Sequence, residues 1–134
     1  MEFTKEEISL CKQIAKKHRK EIARGDYYVG WRDKKNRQVL ALSHEVFTFE
    51  SLIPLWTMSD CLEFLRKKDF LYIEISSPGV DELFGENWQV ITKHKDTPTD
   101  CSIAYVIQYA NTPLEACLKA VLAVLEEGKG DERE

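Results

Sequence analysis

Apolar residues near the start of the chain recur at steps of three and four, the spacing of one face of an α-helix. Thr4 and Glu7 stand before this face at the spacing of a capping box, and Gly25 follows it as a stop. The pattern predicts a helix of about five turns that begins near Lys5. The positions that form its apolar face are Ile8, Cys11, Ile14, Ala15, His18 and Ile22.

A β-hairpin is predicted next. Two runs rich in β-branched and aromatic residues, 26–32 and 37–42, flank the polar turn Asp33-Lys-Lys-Asn36. The stretch from Ser43 to Pro54 has no clean period. We interpret it as a connection that holds a short third strand near Val46 to Phe49.

The second half of the chain begins with a helix and three strands. Thr57 is placed to cap a helix of about ten residues, with Asp60 in its first turn and Arg66 to Lys68 in its last. Alternating or β-prone runs then cover 70–76, 88–92 and 102–109 with short connections. Consecutive strands connected in this way predict an antiparallel meander.

The last element has the strongest local signal. Thr112-Pro-Leu-Glu115 is a capping box with proline at the first helical position, and Gly128 ends the helix. Its wide apolar face predicts that the helix lies flat on the sheet. That face consists of Leu114, Cys117, Leu118, Val121, Leu122 and Leu125.

Together these elements predict an α+β fold. An antiparallel β-meander packs with two amphipathic helices in an α-β-α sandwich-like arrangement, and an N-terminal helix and β-hairpin pack beside it. Tyr72, Trp88 and Tyr105 favour a third layer on the far face of the sheet. We expect a single domain over 1–128, with the helix and hairpin in 1–42, the sandwich-like core in 53–128 and a frayed tail in 129–134.

Composition agrees with one compact domain, since the 134 residues are 43% hydrophobic and 31% charged. A membrane-spanning helix needs about 20 mostly apolar residues, and the sequence holds no such stretch. The first residues, Met-Glu-Phe-Thr-Lys-Glu-Glu, are acidic rather than basic and apolar, which is unlike a secretion signal. We therefore expect a cytoplasmic protein without membrane association.

Residues that carry chemistry are sparse. The four cysteines form no CxxC pair, and the three histidines stand near charged neighbours. The sequence has no nucleophile motif and no phosphate-binding glycine loop. These observations predict a non-enzymatic protein without catalytic residues, metal or cofactor, and with reduced, buried cysteines.

Two binding hypotheses remain, because charge and aromatic residues are distributed unevenly. Residues 1–38 hold 11 Lys and Arg against 6 Asp and Glu, whereas 39–134 hold 8 against 17. Tyr28 and Trp31 on the hairpin predict a surface for a protein partner or for a second copy in a homodimer. The alternative is a nucleic-acid surface on the first helix, formed by Lys12, Lys16, Arg19 and Lys20.

The part from Ile53 onward resembles the phage ABA sandwich domain family of small phage and prophage proteins. The likeness lies in the order of a helix over IPLWTMSDCLEFLRKK, a meander with NWQVIT and IAYVIQYA, and a helix over NTPLEACLKAVLAVLEE. It covers roughly the last 80 residues and excludes the N-terminal helix and hairpin. The resemblance implies a mobile-element origin, a cytoplasmic setting and a binding role, and it implies no catalytic residues.

Overall fold

A computed structural model describes residues 2–76, 88–94 and 106–127 of the chain. The chain divides into two compact units, unit 1 over Met1–Trp56 and unit 2 over Thr57–Glu134. In each unit, helical structure packs on a three-stranded antiparallel sheet, so the predicted α+β class is confirmed. The single domain over 1–128 stays a prediction, and the tail over 129–134 lies outside the described residues.

Unit 1 begins with helix α1, Lys5–Ala15. Its capping box is the predicted one: the backbone N–H of Glu7 donates to Thr4 Oγ1 at 3.1 Å, and that of Thr4 donates to Glu7 Oε1 at 2.8 Å. The helix has 11 residues, so the predicted length of about five turns is wrong.

Two interactions are relevant to the early end of α1. A longer helix would place Lys20 four residues after Lys16, and such a like-charge pair costs a helix a few tenths of a kcal/mol. Ile22 instead forms a β-bridge with Phe47, in which each backbone N–H donates to the other residue's carbonyl, at 2.8 and 3.1 Å. Gly25, with φ of 93°, belongs to the turn before the hairpin and not to a helix end.

The sheet of unit 1 contains β1 (Tyr27–Gly30), β2 (Val39–Leu40) and β3 (Leu52–Leu55) in the order β2-β1-β3. Strands β1 and β2 form the predicted hairpin. The third strand lies at β3 and not near Val46 to Phe49, which corrects the prediction for the connecting segment. Val29 and Ile53 are paired and fully buried, and α1 packs against β3.

Unit 2 contains α2 (Met58–Lys67), β4 (Phe70–Ser76), β5 (Trp88–His94), β6 (Val106–Ala110) and α3 (Pro113–Glu127). The strand order β4-β5-β6 with antiparallel pairing confirms the meander. Both predicted helices are present, with Thr57 and Thr112 accepting from the backbone N–H of Asp60 and Glu115 at 3.2 and 3.0 Å. The predicted start of the last strand, 102–105, lies outside the described residues.

Helix α3 packs on β5 and β6, while α2 packs on β4 and on α3. Val90 and Thr92 of β5 are fully buried on the helix side, and Thr92 Oγ1 satisfies its hydroxyl by donating to the Tyr72 carbonyl at 2.9 Å. On the opposite face Tyr72 and Tyr109 are 50% and 52% exposed.

The predicted third layer therefore does not cover Tyr72. Trp88 pairs with the buried Ala110 and shares the face of Val90, so it belongs to the helix side of the sheet. Tyr105, the third residue behind the prediction, lies outside the described residues.

Among the helices that the structure describes, none has both the length and the apolar character that crossing a membrane requires.

Candidate interaction surface

Large apolar side chains are exposed around the hairpin of unit 1. Leu42 is 71% exposed and Phe49 56%, and three further side chains near them are exposed by two-fifths or more. Of these, Val39 and Leu40 lie in a strand of an antiparallel sheet, whose solvated side commonly carries polar residues. We call this set the hairpin surface; its members are Val39, Leu40, Leu42, Val46 and Phe49.

Strand β2 lies at the edge of its sheet, since its described partner is β1 alone. Hydrogen bonds continue the pairing beyond the two strand residues: the N–H of Ala41 donates to the Asp26 carbonyl at 2.8 Å, and that of Gly25 donates to the Ala41 carbonyl at 2.9 Å. The inner side of 39–41 is thus fixed, and its outer side is an edge. Such an edge can accept a further strand.

Contacts between aromatic rings link the segments that form the hairpin surface. The Tyr28 ring meets the Phe47 ring edge to face at 5.9 Å between centroids, and the Phe47 ring lies 5.5 Å from that of Phe49. Tyr28 also pairs with Val39 across the hairpin. These contacts from Val39 through Tyr28 and Phe47 to Phe49 connect β2 to the segment that carries Phe49. The exposed side chains are therefore attached to packed aromatic residues.

The two residues predicted as a partner surface have different environments. Trp31 is 38% exposed, and the Lys16 ammonium lies 5.6 Å from its ring centroid. Tyr28 is half-buried, and its ring packs on that of Phe47. Tyr28 therefore contributes to the packing of unit 1 itself. Sequence reasoning missed the neighbouring Val39, Leu40 and Leu42. The available signal was the run Gln38-Val-Leu-Ala-Leu-Ser43, which contains no charged residue.

The four cations of the predicted nucleic-acid surface do not form one helix face, because α1 ends at Ala15. Lys12 Nζ donates to Asn36 Oδ1 at 2.9 Å, and Lys16 lies over Trp31. Lys20 Nζ is 2.9 Å from Asp26 Oδ2 in a largely buried ion pair. Each of these contacts joins the cation to a group of unit 1 itself.

Arg19 has the most specific contacts of the four. Its Nη1 donates to the carbonyls of Phe49 and Leu52 at 2.9 and 3.0 Å, and its Nη2 donates to the Glu50 carbonyl at 2.9 Å. The guanidinium fork therefore holds the turn before β3 in place. This contact shapes the segment that presents Phe49.

The histidine and cysteine side chains, which often take part in catalysis, make packing contacts or are buried. His18 packs edge-on to Trp56 at 5.9 Å and His94 to Phe70 at 5.1 Å, while His44 contacts Arg24. Cys11, Cys61 and Cys117 are buried and form no disulfide with one another, and burial raises the pKa of Cys117 from 9.0 to about 11. Across residues 2–76, 88–94 and 106–127, no three His, Cys, Asp or Glu side chains are placed to hold a metal ion.

Comparison with known proteins returns no relative: the chain matches no protein-family model, no curated protein and no solved structure.

Proposed function

We propose that this chain is a non-catalytic accessory protein that acts in the cytoplasm as a protein-binding module. Its contact surface is the hairpin surface, and the observation that carries the proposal is the exposed apolar edge of unit 1 formed by Val39, Leu40 and Leu42. Apolar side chains at a sheet edge are a common route to association with another chain.

The partner that this edge fits best is a second copy of the chain. Two β2 strands that pair antiparallel across a two-fold axis place residues of the same segment opposite each other. The segment 38–43 contains no charged residue, so this pairing opposes no like charges and places apolar side chains side by side. Trp31, which is 38% exposed and contacts Lys16, lies in the same unit.

An origin in a phage or prophage is part of the proposal. It is supported by the resemblance stated above and by the observed order of unit 2, in which a helix, three antiparallel strands and a helix follow one another as in that family. Binding of nucleic acid through Lys12, Lys16, Arg19 and Lys20 is not favoured. Arg19 donates to backbone carbonyls, and Lys20 forms an ion pair with Asp26.

The test is sedimentation equilibrium on the intact protein and on Leu40→Lys. A wild-type dimer should become a folded monomer in Leu40→Lys, because the new ammonium groups would approach each other across the two-fold axis. Tyr109→Lys is the matched control, since Tyr109 is 52% exposed but lies in unit 2; it should stay dimeric.

Circular dichroism on all three proteins establishes that each is folded. A wild-type protein that is monomeric at every concentration would overturn the dimer. So would a dimer that survives Leu40→Lys unchanged.

A further inference from the structure

A second surface of unit 1 carries a separate inference. A cleft of about 680 Å³ lies between the start of α1 and the turn that follows β1. The buried side chains of Phe3 and Ile8 line it. Four cations also line it, against one carboxylate, that of Glu2, among the described residues. We call it the basic cleft, and its cations are Lys5, Lys34, Lys35 and Arg37.

Most of this positive charge is not neutralised within the described part of the chain. Arg37 Nε donates to Asp33 Oδ2 at 3.1 Å, and this hydrogen bond is the first cause of a lowered pKa at Asp33. Lys5, Lys34 and Lys35 are exposed and have no carboxylate partner among the residues that the structure describes. The positive charge of these three lysines favours an anionic ligand at the opening.

The wall of the cleft is shaped before any ligand arrives. Asp33 accepts from the backbone N–H of Lys35 at 3.1 Å and of Arg37 at 3.0 Å. Asn36 has a positive φ of 51° and accepts from Lys12 Nζ, which ties the turn to α1. A preformed turn lowers the entropy cost of binding.

We propose that the basic cleft binds the phosphate groups of a nucleotide or of a single-stranded oligonucleotide. The lysine ammonium groups act as point charges towards phosphate, and arginine binds phosphate as well, although Arg37 already donates to Asp33 through its Nε. A volume of about 680 Å³ falls in the range of small-molecule sites, roughly 300 to 1,000 Å³. The proposal does not depend on the dimer.

Fluorescence anisotropy of a fluorescein-labelled oligothymidylate, measured with the intact protein across a salt series, tests the proposal. The triple variant Lys5→Gln, Lys34→Gln, Lys35→Gln should weaken binding at least about tenfold. Because each phosphate contact on a single strand contributes about 0.7 to the slope of log K against log salt, that slope should fall by about 2.

The matched control is Lys17→Gln, Arg24→Gln, Arg32→Gln, which removes the same charge from exposed positions of unit 1 outside the cleft lining. Its affinity should change less than about threefold, since it leaves the proposed phosphate contacts in place. Competition by unlabelled thymidine monophosphate distinguishes the two ligand sources. Displacement at micromolar concentration supports a nucleotide site, and displacement by oligothymidylate alone supports a strand that spans several phosphates.

Three results would overturn the proposal. The first is the absence of salt-dependent binding of both probes to the wild-type protein. The second is equal weakening in the two triple variants, which would reflect net charge alone. The third is tighter binding of a labelled polyglutamate peptide than of oligothymidylate, which would make the cleft a site for acidic peptides. Circular dichroism confirms that both variants are folded.

Discussion

At the scale of single residues, the Arg19 side chain shows how a cation can serve the fold of its own unit. It donates to three carbonyls between Phe49 and Leu52, and these groups would otherwise need water. A lysine keeps the charge but offers no planar fork. In the sequence, Arg19 is one basic residue among several. Its role in holding the turn before β3 depends on contacts with residues about 30 positions away, which the sequence pattern does not show.

We expect Arg19→Lys to lower the free energy of unfolding by about 1 to 3 kcal/mol, since hydrogen bonds from charged donors contribute about that much. Urea denaturation followed by circular dichroism measures the loss. Arg24→Lys is the matched control, because Arg24 is exposed and its side chain contacts His44 rather than the backbone. An equal loss in both variants would contradict a special role for Arg19.

Cys117 allows a second test at this scale. With its pKa raised to about 11 by burial, about 0.1% of the thiol is ionised near pH 8. Iodoacetamide should therefore label Cys117 at least about 100-fold more slowly in the folded protein than in urea, as followed by peptide mass spectrometry. The folded-state pKa is the higher one, so this group's contribution to stability is present below pH 9.0 and is lost as pH rises towards 11. Equal labelling rates would show that the thiol is accessible.

At the scale of elements, local signals predicted what local interactions decide. The capping threonines at positions 57 and 112 lie where the pattern placed them, because a cap involves residues three apart in sequence. Helix α1 was predicted too long, because Ile22 continues the apolar spacing but is buried through a bridge to Phe47, 25 residues away. Strand β3 was missed for a similar reason, since its pairing with β1 is non-local.

Removing the cap of α3 should have a modest cost. Thr112→Ala takes away the acceptor of the Glu115 N–H, and we expect it to destabilise the protein by about 1 kcal/mol. Thr112→Ser retains a hydroxyl and should restore most of the loss. Thermal melts of the two variants make the comparison, and identical melts would mean that the cap does not contribute.

Deleting core volume under the same helix should cost more. Leu118 is fully buried on the α3 face that packs on β5 and β6, so Leu118→Ala should cost roughly 2 to 5 kcal/mol. Leu122→Ala removes the same atoms from a half-buried position on the same helix and should cost less. The order of the two melting temperatures checks this, and a reversed order would contradict the observed burial.

At the scale of the whole molecule, charge and exposed apolar surface act against each other. Unit 1 has 11 Lys and Arg against 8 Asp and Glu, whereas unit 2 has 8 against 15. The imbalance is counted directly from the sequence, and Trp31, which the sequence analysis offered as part of a partner surface, is 38% exposed. It did not predict the hairpin surface or the basic cleft, since each combines segments brought together by tertiary pairing.

This balance makes association depend on pH. The sequence pI is about 5.5 and the formal net charge at pH 7 is −4, so repulsion between molecules vanishes as pH falls towards 5.5. The net charge of the whole molecule, rather than that of unit 1, is then close to zero, and light scattering should show larger particles at pH 5.5 than at pH 7. Replacing Leu42 and Phe49, both more than half exposed, by Ser should reduce that increase. If the double variant scatters as strongly as the wild-type protein at the lower pH, the apolar contact lies elsewhere on the molecule.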